Sequence, residues 1–326
     1  MTTKRLDDID KLKGLAIFLV VLGHIVAREP PEGAGWYVVL KKTIYLFHMP
    51  LFMFVSGLIL AYARKPITTM ADYGKYLKKK FMRLMPAYFL FAAIVFFGKL
   101  VFSQLMQVDN PVGSISSFFD VIIDPGRSYC AYLWYIYVLF VFYAIAPLAY
   151  WITRDRIEWL LPLTLVLHFW DAPSTFAIAS VAEYSFVFLL GAIAGEHYEK
   201  YDRVVTKWGP AFAFSFIIMA SFSLQLGVSK FALGLLSIPS CHAIVTMRWS
   251  DWGNILKLFA AYTFPIYLMN TMCIGVAKGM LLKFSSWDGA NFYWFAVVLL
   301  IAGLVGPILA KRWVINRVPV LNQIIL

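Results

Sequence analysis

Long apolar runs separated by short charged clusters recur along the whole chain. Ten of them approach the length of about twenty residues that a membrane helix needs. They cover residues 10–27, 44–63, 84–105, 131–152, 157–170, 175–195, 208–226, 231–247, 254–277 and 292–310. The fifth is short, so it is tilted, thinly spanning or not a separate crossing. The pattern predicts an all-α integral membrane protein, a bundle of about ten transmembrane helices. No repeat or low-complexity linker divides it, so residues 1–326 read as one transmembrane domain without a separate soluble domain.

The connectors alternate in charge. One set carries Lys4, Arg5, Arg64, Lys65, Lys78, Lys79, Lys80, Arg154, Arg156, Lys200, Arg203, Arg248, Lys311 and Arg312. The other mixes Arg28, Lys41, Lys42, Arg127, Lys230, Lys278 and Lys283 with Glu29, Glu32, Asp109, Asp120, Asp124 and Asp171. Basic loops stay inside, which predicts that the first set and both termini are cytoplasmic. The longest inner connector is 64–83. The longest outer ones, 28–42 and 107–130, hold Pro, Gly and Asp and are expected to be irregular. Together they would form a mouth open to a polar ligand.

Composition supports a membrane reading. The chain is 61% hydrophobic and 14% charged, against roughly 25% charged for soluble domains. Its net charge of +11 does not imply a nucleic-acid partner, because the cations sit between apolar runs. Cys130, Cys241 and Cys273 are too few and too scattered for a disulfide framework or a metal site, and no CxxC or HExxH occurs. The first run has the length of a signal peptide, but Asp7, Asp8 and Asp10 stand where a basic leader segment is expected.

Ionisable residues inside apolar runs are the candidates for chemistry, since burying them in lipid is costly. Lys13 and His24 are eleven positions apart in the first run. On a helix they share nearly one face, ~16 Å apart along the axis. Asp10 lies one turn before Lys13, spaced to pair with it. His24 reads as a general base or acyl acceptor, or else as a hydrogen-bonded packing histidine. Lys13 reads as a ligand contact or as a lysine snorkelling to the inner headgroups.

Four further groups are candidates. His48 precedes Pro50, where the second helix should kink or begin again. It either shares a site with His24 at similar depth or satisfies the kink. The stretch Lys78-Lys79-Lys80-Phe81-Met82-Arg83 either holds donor phosphates or sets topology and binds anionic lipid. Glu183, inside the sixth run, orients a histidine, lines an acceptor path or closes a structural ion pair. Asn270 is a polar residue suited to joining helices.

Together these pieces resemble the membrane acyltransferase-3 family of ten-helix O-acyltransferases. The resemblance runs over most of the chain. Arg5-Leu-Asp-Asp-Ile-Asp-Lys-Leu-Lys13-Gly14-Leu-Ala16 is similar to the family's opening, and Lys13 and His24 match its basic-x10-His motif. Phe47 to Gly57 is similar to its FHMPLFFFISG-like helix, and Lys80-Phe-Met-Arg83 to its RxxR segment. Leu133-Trp134-Tyr135 to Pro147 and Phe188-Leu-Leu-Gly191 match weaker motifs. Lys13 and Lys80 replace arginines, which keeps the charge and loses the planar fork. Asn270 stands where members often carry His.

The resemblance implies an O-acyltransferase in the cytoplasmic membrane of a bacterium. It would move an acyl group, most often acetyl from acetyl-CoA, to a hydroxyl of an extracytoplasmic or lipid-linked glycan. The motifs lean toward the sugar O-acetylases, including fucose acetylases. His24 would deprotonate the hydroxyl or carry the acyl group, and Lys13 would bind or polarise the donor. Lys79, Lys80 and Arg83 would neutralise donor phosphates. His48 and Ser56 are the nearest groups for an oxyanion stabiliser. Acyl-CoA would be a substrate, with no permanently bound cofactor, and the partners would be the glycan and membrane lipids. A glycan or lipid transporter without covalent transfer and a membrane scaffold are the rival readings, and intramembrane ionisable residues argue against the scaffold.

Overall fold

A computed structural model describes residues 6–26, 30–102, 111–247 and 253–325. Lys4, Arg5, Arg28, Glu29, Asp109 and Arg248, used above to orient the chain, lie outside the described residues. All regular structure among the described residues is helical. The helices are α1 (Asp7–His24), α2 (Gly35–Tyr62), α3 (Met70–Phe102), α4 (Asp120–Ile123), α5 (Trp134–Thr153), α6 (Leu161–His168) and α7 (Ile178–Glu196). They continue as α8 (Tyr198–Ser221), α9 (Lys230–Thr246), α10 (Gly253–Ala261), α11 (Thr263–Leu281), α12 (Gly289–Trp313) and α13 (Pro319–Ile324).

Among the described residues, seven helical segments are long and apolar enough to cross a membrane. They contain α2, α3, α5, α7, α8, α11 and α12. The first, fifth and eighth sequence runs do not reach that standard. α6 and α9 are too short, and α1 carries Asp7, Asp8, Asp10, Lys11 and Lys13 within 18 residues. The ninth run is corrected: it is two helices, α10 and α11, parted at Tyr262. Pro265 explains the break, because it cannot donate to the Ala261 carbonyl and its ring crowds that turn.

Two further expectations change. α2 does not begin again at Pro50; one helix runs from Gly35 to Tyr62, so much of the expected outer loop 28–42 is helical. α3 starts at Met70, so the lysine cluster stands on a helix rather than in a loose connector.

The contacts define two compact units. The first holds residues up to Val55 and His197–Asn322. Its centre is α1, which packs against α9, α10, α11 and α12. Leu12, Ala16, Ile17 and Val21 of α1 are fully buried. A helix with five charges in its first two turns is tolerated here because its neighbours are protein, not lipid. Gly14 is the closest approach: a Cβ there would overlap the Leu256 carbonyl of α10.

α1 is anchored at its start by a buried cluster. Asp8 accepts hydrogen bonds from His242 Nε2 at 2.9 Å and from the Tyr198 hydroxyl. His242, fully buried on α9, contacts the Tyr201 hydroxyl through Nδ1 at 3.0 Å. Burial works against the Asp8 charge, yet the bonds from His242 and Tyr198 outweigh it and hold the carboxyl at about 2. A depressed carboxyl stabilises the fold fully above its ordinary value of 3.8, and the contribution is lost as pH falls toward 2. Asp8→Asn is expected to lower stability at neutral pH by about 1.5–3 kcal/mol, the scale of a hydrogen bond to a charged group; a thermal melt beside wild type checks this. Asp202 places a carboxylate within 4.8 Å of the Asp8 and His242 ligand atoms. Both imidazole nitrogens are already engaged, so the cluster acts as a hydrogen-bonded latch.

The second unit spans Ser56–Glu196 together with the last four residues, 323–326, of which Leu326 is not described. In it α2 and α7 meet backbone to backbone. A Cβ on Gly57 would overlap the Phe188 carbonyl, and one on Gly195 the Leu58 carbonyl. Phe188 in turn stacks on Phe142 of α5, with ring centroids 4.4 Å apart. Three of the sequence motifs, ending at Gly57, beginning at Phe188 and lying between Leu133 and Pro147, are therefore one packing junction. Small residues at such crossings let backbones approach where lipid supplies no hydrophobic drive.

Candidate active site

His24 ends α1 and is partly exposed. Its Nδ1 lies 2.9 Å from Oδ1 of Asn270 on α11. Nε2 makes no hydrogen bond among the described residues. Asn270 is fully buried, and its Nδ2 donates to the Ile266 and Tyr267 carbonyls at 2.9 and 2.8 Å. Local spacing carries no sign of this pairing, because the two residues are 246 positions apart.

His48 is buried on α2, and its Nδ1–H donates to the Ile44 carbonyl at 2.8 Å. One nitrogen therefore serves the helix, as the packing alternative supposed. The ring nevertheless belongs to the His24 neighbourhood. It lies 5.1 Å from the Tyr45 ring, Tyr45 donates to the Gly23 carbonyl at 3.1 Å, and the two histidines are within electrostatic reach of each other. Lys41, read above only as a connector cation, also acts on His24 electrostatically. Its Nζ donates to the Val26 carbonyl at 2.6 Å.

Lys13 and Asp10 are half-buried on α1. α1 is unbroken from Asp7 to His24, so Lys13 stays ~16 Å from His24 along the axis. No lysine side chain spans that distance.

The other expected residues lie in the second unit. On α3, Lys78, Lys79 and Arg83 are exposed, whereas Lys80 turns in over two rings, 4.1 Å from Tyr143 and 5.4 Å from Tyr76. The Tyr76 hydroxyl is buried with no hydrogen-bond partner among the described residues. Ser56 pairs with the Tyr135 hydroxyl at 2.6 Å. Glu183 is half-buried on α7, where its backbone carbonyl accepts from His168 Nδ1 at 2.5 Å.

These features define a multi-pass helical membrane protein in which His24, His48 and Asn270 belong to the same unit. The acyltransferase-3 family model, described as an acyltransferase domain, matches residues 6–312, and the chain belongs to that family. It is similar to the nodulation protein NolL of Mesorhizobium japonicum, 26% identical over 183 residues, which are 55% of this chain and 44% of the relative. It is also similar to NolL of Sinorhizobium fredii, 46% identical over 50 residues, 15% of this chain and 14% of the relative. The chain thus spans less than half the length of these curated relatives. No solved structure matches it significantly.

Proposed function

We propose that this protein is a membrane O-acetyltransferase of the bacterial cytoplasmic membrane, with one acyltransferase domain of ten spans and both termini inside. The donor is acetyl-CoA, and the acceptor is a hydroxyl of an extracytoplasmic or lipid-linked glycan. The observation that carries the reading is the His24 imidazole, tied through Nδ1 to Asn270, in a chain of an acyltransferase family. Resemblance to the glycan O-acetylases supports the acceptor class, and the two bacterial relatives support the compartment.

In this reading His24 Nε2 takes the proton of the acceptor hydroxyl as its oxygen attacks the thioester carbonyl. The tetrahedral intermediate collapses, the C–S bond breaks, and the leaving thiolate takes the proton from the imidazolium. The products are the acetyl ester and free CoA. If Nε2 attacks first, the C–S bond breaks, the CoA thiolate leaves and an acetyl-histidine forms; the acceptor hydroxyl then displaces the imidazole, and its proton goes to the thiolate. Lys41 is the cation in reach of the site that could stabilise the oxyanion; His48 gives its one proton to the Ile44 carbonyl and offers Nε2 only as an acceptor. Lys13 holds the extended arm of the donor.

The family resemblance alone supports Lys79, Lys80 and Arg83 as the groups that take the donor phosphates; the Tyr76 hydroxyl beside Lys80 has no hydrogen-bond partner among the described residues. The test is transfer of radiolabel from acetyl-CoA to glycan by purified protein in lipid, with the Lys79→Gln, Lys80→Gln, Arg83→Gln triple variant alongside. The triple variant is expected to raise the donor KM at least tenfold, since each lost charge-assisted contact contributes about 1.5 kcal/mol or more. An unchanged KM would leave those residues to topology and lipid binding. Absence of both transfer and donor binding in wild type would overturn the proposed function.

A further inference from the structure

Asn270 settles which nitrogen of His24 can act. The Asn270 amide has one donor group and one acceptor atom. Its Nδ2 lies 2.9 and 2.8 Å from two backbone carbonyls, Ile266 and Tyr267. Carbonyls only accept, so the amide cannot be turned the other way without setting oxygen against oxygen twice. Oδ1 must therefore face His24 Nδ1 at 2.9 Å. An amide oxygen also only accepts, so the proton between them sits on His24 Nδ1. A neutral imidazole carries one proton, which leaves the lone pair on Nε2.

We propose that Asn270 is the positioning residue of the site, fixing His24 as the Nδ1–H tautomer and presenting Nε2 as the base or acyl acceptor. The assignment rests on the acyl-transfer reading for its catalytic consequence, but not for the tautomer itself. Rotation of the ring is restrained by the same bond. Asn270 is fully buried and held twice by its own helix, so its oxygen is a rigid reference point.

The proposal separates Asn270 from a residue that merely joins α1 to α11. A joining role would be lost equally in any variant that breaks the contact. A tautomer-setting role requires an acceptor aimed at Nδ1. Asn270→Leu removes the acceptor and keeps the bulk; Asn270→Asp keeps an oxygen facing Nδ1 and gives up the amide donors.

The experiment is 15N NMR of histidine-labelled protein in lipid, with His24→Ala identifying the His24 signals, together with kinetics of the two Asn270 variants. Wild type is expected to show protonated Nδ1 at His24, and Asn270→Leu to lose that preference. Asn270→Leu is expected to lower kcat about 100-fold, the scale of losing a residue that orients a functional imidazole, with donor and acceptor KM within about twofold. Asn270→Asp is expected to recover part of kcat as the protonated acid, whose hydroxyl replaces one amide donor, and to lose it as the carboxyl ionises against the Ile266 and Tyr267 carbonyls, which shifts the limb of the pH–rate profile. A Nδ1–H signal unchanged in Asn270→Leu, or a wild-type proton on Nε2, would overturn the proposal, as would full kcat in Asn270→Leu. If wild type shows the Nδ1–H tautomer, dependent on Asn270, but transfers nothing, the structural assignment stands and the acyl-transfer reading fails.

Discussion

His24→Ala is expected to lower acetyl transfer roughly 100- to 10,000-fold, the contribution of a positioned general base. A larger loss, with no detectable turnover, is expected if the acyl group passes through the imidazole. Folding should survive. His24 is partly exposed at the end of α1, and the substitution gives up one hydrogen bond, to Asn270, a net cost of about 1 kcal/mol. The measurement is initial rate of label transfer in purified protein, normalised to protein in the membrane fraction. Turnover within tenfold of wild type would remove His24 from the chemistry. Label held on wild-type protein without acceptor, and missing from the variant, would favour the two-step route.

The largest structural effect is expected at Gly14. Its missing Cβ is where the Leu256 carbonyl of α10 sits, and backbone cannot swing aside as a side chain does. Gly14→Val should force α1 and α10 apart and cost about 3 kcal/mol, at the upper end for overpacking. It should also lower activity, because α1 carries both Lys13 and His24. Gly98→Ala is the matching control: nothing lies within 4 Å of a Cβ there, and removing a mid-helix glycine should gain roughly 0.5–1 kcal/mol. Melting curves of the two variants in the same detergent decide the point. Equal stabilities would mean that the helices separate at little cost.

The two glycines differ in a way that local pattern does not reveal, and the same is true of the prolines. Pro50, Pro86, Pro147, Pro210, Pro239 and Pro307 all lie inside continuous helices, whereas Pro265 stands just after a break. Membrane helices tolerate proline when neighbouring groups satisfy the freed carbonyl, so the outcome depends on packing far along the chain. Hydropathy located the long apolar helices because lipid imposes that length on them. It placed α1 by charge pattern but could not show that α1 is the core of its unit.

The site was legible to the same degree. Lys13, His24 and His48 stood out because ionisable groups are conspicuous in apolar runs. The reach of Lys13 follows from helix rise once α1 is continuous. Asn270 stood out only as a lone neutral amide suited to joining helices. Only the approach of α11 to the end of α1 gives it a role. Lys41 was hidden by its place beside a connector, where a cation is read as topology.

The central position of α1 has a consequence for how the protein is made. α2 meets only the end of α1, through Tyr37 and Tyr45; α1 ends at His24 and α9 begins at Lys230, so about two hundred residues are synthesised before the four helices packed along α1 begin to follow. During that interval its acids and lysines lack the surroundings they have in the finished protein. Either the insertion machinery holds α1, or α1 waits at the membrane surface until α9 to α12 arrive. The helix made early is thus among the last to be fully seated.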